Sequence, residues 1–61
     1  MPIIFFYGPE LEKGKKRELI KSFTESASKV TEIDRSKFTV VLRHLSKDNV
    51  GVGGELASDK D

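Results

Sequence analysis

The 61-residue sequence has no cysteine, no tryptophan, one methionine, one histidine and two prolines. Without cysteine there is neither a disulfide nor a thiolate metal site, and a single histidine, His44, cannot organise a metal alone. No metal site is expected. No apolar run approaches the roughly 20 residues of a membrane span. The short apolar stretch near the start lacks the basic flank of a signal peptide, so the expected compartment is the cytoplasm, with no membrane partner. Charge is in balance as well, with 11 Lys and Arg against 10 Asp and Glu. Nucleic-acid binders usually carry a marked basic face, and no nucleic-acid partner is expected here.

A chain this short forms one domain, 1–61, and buries only about 60% of the surface its unfolded form exposes. Small domains make up the deficit with disulfides, metals or partners. Composition removes the first two, which leaves self-association.

What is present is a clear pattern of elements. Ile3, Ile4, Phe5, Phe6 and Tyr7 are β-branched or aromatic and stop at the turn signal Gly8-Pro9. They predict a strand, and because it is apolar on both faces it needs a cover on both sides. Over residues 15–32 the apolar positions Leu19, Ile20, Phe23, Ala27 and Val30, with Ile33 just beyond, fall in steps that define one helical stripe. Asp34, Arg35, Ser36 and Lys37 read as a short polar connection. Residues 38–45, FTVVLRHL, predict a second strand, with Phe38, Val40, Leu42 and His44 facing the helix and Thr39, Val41, Arg43 and Leu45 facing away. Strand, helix and strand in this order form a βαβ unit with parallel strands and a right-handed crossover. Gly51, Gly53 and Gly54 supply turn positions for a small C-terminal hairpin. Ser58 to Asp61 are polar and expected to fray. The fold class is therefore α+β, a βαβ subunit with a C-terminal hairpin, assembled as an oligomer.

Several groups could carry chemistry. The glycine cluster lacks the Gly-Lys-Ser/Thr ending of a phosphate loop and no helix follows it, so it reads as a turn. Lys13, Lys15, Lys16 and Arg17 gather where a helix N-terminus disfavours cations. That placement fits either solvated surface or a site for a small anion. His44 reads as a packed or edge histidine, and Arg43 as half of a salt bridge at a subunit contact. Pro2 stands directly behind Met1, and removal of Met1 exposes a secondary amine. Desolvation among Ile3 to Phe6 lowers the pKa of such an amine towards the range where a general base works best. The plainer reading is a proline that begins a strand.

The order of a proline behind the initiator, an apolar strand, a helix bearing Leu19-Ile20, a second strand, and then Gly51-Val52-Gly53-Gly54-Glu55-Leu56-Ala57-Ser58 resembles the 4-oxalocrotonate tautomerase family. The resemblance spans the whole chain. It implies a homo-oligomer, usually a hexamer built as a trimer of dimers, that needs neither metal nor organic cofactor. It also implies that Pro2 is the catalytic base and acid, moving a proton on a small anionic enol or keto acid. The family binds substrate carboxylates with one arginine at the helix start and another in the second strand, drawn from different subunits. Here the first falls at Leu11 or Glu12 and the second at Thr39. Lys13 is the stand-in nearest the helix start, Arg43 lies about 13 Å along the strand from Thr39, and the family's aromatic before the glycine turn is Val50. The implied substrate-binding positions are Lys13, Thr39 and Val50. The altered clamp implies weak or shifted activity on diacids such as 2-hydroxymuconate. A non-catalytic oligomeric scaffold or binding module that keeps the fold is the competing reading.

Overall fold

A computed structural model describes residues 1–60. The first strand, β1, spans Ile3–Gly8, the helix α1 spans Lys13–Thr31, and the second strand, β2, spans Thr39–His44. The expected βαβ order holds, with the helix starting two residues before the expected Lys15 and ending one residue before Glu32. The second strand is one residue shorter at each end than FTVVLRHL. Short 3₁₀ turns cover Arg35–Lys37, Lys47–Asn49 and Ala57–Lys60, so the expected fraying at Ser58 to Lys60 gives way to a turn. Asp61, the last residue of that expectation, lies outside the described residues.

β1 and β2 pair in parallel, with Ile3 opposite Thr39, Phe5 opposite Val41 and Tyr7 opposite Arg43. The ladder continues past both ends: the Thr39 amide donates to the Pro2 carbonyl at 3.0 Å and the Leu45 amide to the Gly8 carbonyl at 2.8 Å. Residues paired across a parallel ladder point to the same side, so the sheet sorts into two faces. Ile4, Phe6, Val40 and Leu42 turn towards α1 and are half-buried, and the rings of Phe6 and Phe23 meet at a centroid distance of 5.6 Å. The opposite face is bare: Ile3, Phe5 and Tyr7 remain 53%, 54% and 58% exposed. This is the physical content of a strand apolar on both sides.

α1 begins without a side-chain cap at Glu12 and ends at Glu32, whose φ of 61° is left-handed and whose amide donates to the Ser28 carbonyl. The Asp34 carboxylate then accepts from both the amide and the hydroxyl of Ser36, fixing the turn that leads into β2. The hairpin is present as β3, Gly51–Val52, and β4, Glu55–Leu56, paired antiparallel. Gly53 and Gly54 connect them with φ of 63° and 85°. Positive φ at both central positions is the requirement of a type I′ turn and the reason for two glycines in a row. The hairpin rests mainly on its flanking 3₁₀ turns.

No described side chain is fully buried. The radius of gyration is 14.8 Å, against about 10–11 Å for a compact 61-residue domain. The accessible surface is 5020 Å², about 1,000 Å² more than a folded monomer of 6.8 kDa normally keeps. Among the described residues no helix is long and apolar enough to cross a membrane.

Candidate active site

The site is built where the two strands begin. Because β1 and β2 are parallel and α1 runs back between them, the start of β1, the end of the helix and the turn before β2 meet at one end of the sheet. A groove of about 560 Å³ opens there, lined by Met1, Pro2, Ile33, Ser36, Lys37 and Thr39. Pro2 is half-buried, its carbonyl held by the Thr39 amide, while Met1 is almost fully exposed. The proline nitrogen thus stands at the groove with only Met1 between it and a free terminus. Ile33 gives the groove an apolar wall, and Thr39 offers a hydroxyl.

Two of the four expected site residues, Pro2 and Thr39, come together in one chain. Lys13 and Val50 do not join them. Glu10, in the loop before the helix, approaches both Lys16 at 3.4 Å and His44 at 3.6 Å. The helix start therefore sits beside the far end of the sheet, about 17 Å along the strands from Ile3. Val50 lies beyond that same end, after the Lys47–Asn49 turn, with its carbonyl accepting from the Ala57 amide at 2.7 Å. Either residue could approach a Pro2 groove only from another copy of the chain.

The basic run at the helix start does not converge on a common anion site within the chain. Lys16 turns to Glu10, and Lys15 lines a shallow groove with Leu11, Glu18, Leu19 and Ser22. His44 is an edge histidine paired with Glu10, and no three metal-ligating side chains converge among the described residues.

One charged groove residue escaped the sequence reading: Lys37. It lies in the segment read only as a polar connection. The signal that finds it is register, because pairing of Ile3 with Thr39 sets residue 37 level with the chain start. It is the single charged side chain lining the groove. The neighbouring charges are spoken for: Arg35 pairs with Glu25 at 3.9 Å, and the Asp34 carboxyl is held below its usual range by the two hydrogen bonds from Ser36, the side-chain one first.

Comparison with known proteins finds similar sequences and folds. The sequence profile described as tautomerase enzyme matches residues 2–60. The structure of DmpI from Archaeoglobus fulgidus is 41% identical over 95% of this chain and all of that one, with a TM-score of 0.84. A structure described as a 4-oxalocrotonate tautomerase homologue is 32% identical over the whole of this chain and 98% of its own, at a TM-score of 0.81. YwhB, also described as a homologue of 4-oxalocrotonate tautomerase, is 26% identical over 98% of this chain and all of its own, at 0.89. No curated protein sequence matches significantly.

Proposed function

The chain belongs to the tautomerase family, in its 4-oxalocrotonate tautomerase branch, and on that premise we propose that it is a tautomerase whose base and acid is the secondary amine of Pro2. The observation that carries the reading is the place of Pro2, half-buried at the mouth of the groove that Lys37 and Thr39 also line. Once Met1 is removed, the proline nitrogen has a lone pair. It takes the proton of an enol hydroxyl as the carbonyl forms, and the resulting prolinium returns that proton to the carbon end of the conjugated system. Partial desolvation disfavours the protonated amine, which poises it as a base near neutral pH. With Met1 attached, the same nitrogen is an amide and has no basic lone pair.

The substrate is a small enol or keto acid. The position of the family's second-strand arginine holds Thr39, so diacids of the 2-hydroxymuconate type are expected to turn over weakly. The bare face of Ile3, Phe5 and Tyr7 supports assembly as a homo-oligomer, with a hexamer as the expected form and the cytoplasm as its place.

The test pairs intact mass with an assay of enol acid ketonisation. Protein lacking Met1 should be active. Pro2→Ala, equally processed, should lose about 10²–10⁴-fold in turnover, the usual contribution of a positioned acid–base group, while assembling normally. Full activity in Pro2→Ala, or in protein that quantitatively retains Met1, overturns the proline mechanism, whereas no turnover by the processed wild type returns the chain to the scaffold reading.

A further inference from the structure

We propose that Lys37 is the substrate-anchoring residue of this site, taking a single carboxylate from within the same subunit that supplies Pro2. The proposal rests on the tautomerase reading for the identity of the reaction, and on the groove for the identity of the anchor.

Four observations lead to it. The groove at Pro2 has one charged lining residue, Lys37. Among the described residues no carboxylate lies in ion-pair contact with that ammonium, whereas Lys16, Arg35 and Lys60 each have one. The backbone carrying it is fixed on both sides: the Lys37 amide donates to the Asp34 carbonyl at 3.0 Å, and the Phe38 amide to the Arg35 carbonyl at 3.1 Å. The groove floor is mixed, with apolar Ile33 and Pro2 beside the hydroxyls of Ser36 and Thr39. The Ser36 hydroxyl is already donated to Asp34, which leaves Thr39 as the free donor.

Such a groove sorts substrates by charge. One ammonium on a flexible stem is a point charge that neutralises one carboxylate and imposes little geometry on it, unlike an arginine fork. A carboxylate on Lys37 sets the adjacent enol oxygen between Thr39 and the Pro2 nitrogen. The rest of the substrate runs along Ile33, where an apolar group is favoured and a second carboxylate finds no further cationic side chain among the described residues that line the groove. The preferred substrate is therefore a monocarboxylic enol or keto acid with an apolar tail.

The experiment uses processed, assembled protein and two probes with one carbon skeleton, phenylenolpyruvate and its methyl ester. Lys37→Met should lower kcat/KM for the acid by roughly 10- to 100-fold, the range for a lost charge-assisted hydrogen bond, mainly through KM. The ester should be turned over equally well by both proteins, and Lys37→Arg should restore most of the acid activity. Equal loss on acid and ester shows a structural role and overturns the proposal, as does an unchanged rate on the acid. Binding of cinnamate, a carboxylate that cannot tautomerise, is measured alongside by NMR shift perturbation. It should weaken in Lys37→Met and persist in Pro2→Ala. If the wild type turns over neither probe, the proline mechanism fails, and cinnamate still decides Lys37: equal affinity in wild type and Lys37→Met overturns it.

Discussion

Replacing Phe5 with lysine should take the protein apart. Phe5 sits at the centre of the bare sheet face, between Ile3 and Tyr7 and opposite Val41, and is 54% exposed in the single chain. An aromatic side chain offers about 150–250 Å² for burial, so about 110 Å² of Phe5 remains for a partner to cover. At about 25 cal/mol per Å² that is close to 3 kcal/mol per subunit. A lysine forfeits this and brings an ammonium to a face whose one charged residue is Arg43, so a self-complementary contact offers it no carboxylate. Burying it unpaired costs several kcal/mol more. Folded chains of this length hold only about 3–9 kcal/mol in all. Because no described side chain is fully buried in one chain, assembly and folding should fail together. Sedimentation velocity and circular dichroism at the same micromolar concentration read the outcome. Wild type should sediment as several times 6.8 kDa, with a thermal midpoint that rises with concentration. Phe5→Lys should sediment near the mass of one chain with its helical signal largely lost, and Phe5→Leu should stay assembled. A folded wild-type monomer whose unfolding ignores concentration refutes the reasoning, as does a Phe5→Lys protein that remains assembled.

Two further outcomes follow from local backbone and charge. Glu32 ends the helix at a φ of 61°, where a side chain costs about 1–2 kcal/mol that glycine avoids. Glu32→Gly should raise the denaturant midpoint by the equivalent of about 1 kcal/mol, and a lower midpoint would show that the glutamate side chain has a compensating contact. The Asp34 carboxyl has its folded pKa lowered by the Ser36 side-chain and backbone hydrogen bonds. Its contribution is thus fully present above the ordinary carboxylate pKa near 4 and is lost as pH falls through the lower folded value. Asp34→Asn should be less stable than wild type at neutral pH, and the gap should shrink below pH 4; a gap independent of pH between 2 and 7 contradicts the assignment.

Much of the fold was legible because its signals are local. The five apolar residues of β1, the stripe from Leu19 to Ile33 and the paired glycines of the hairpin each obey a period or a turn rule. The errors are local as well. The helix start is faint in the sequence because Glu12 makes no side-chain cap, Gly14 weakens the first turn and no acidic residue marks it. Residues 58–60 were expected to fray because they are polar, yet their 3₁₀ turn packs against the one at Lys47–Asn49. Composition does not report which neighbouring turn a polar segment meets.

The site was legible only in part, for a different reason. Pro2 carries its role in its position, behind a removable methionine, whereas Lys37 acquires one only through the pairing of Ile3 with Thr39. A one-residue slip in that pairing would turn the whole strand over and point the bare apolar face at the helix. The two sheet faces therefore fix the register, and the register fixes which polar residue of the connecting turn stands beside the chain start. The same apolar residues that call for a partner subunit thus also align the groove. Each chain holds Pro2, Lys37 and Thr39 at one end of its sheet and Lys13 and Val50 beyond the other. If the second pair contributes to binding, it does so to another copy's groove. Assembly and substrate recognition then rest on one surface, and Phe5→Lys should abolish any effect of Lys13 or Val50 along with the fold.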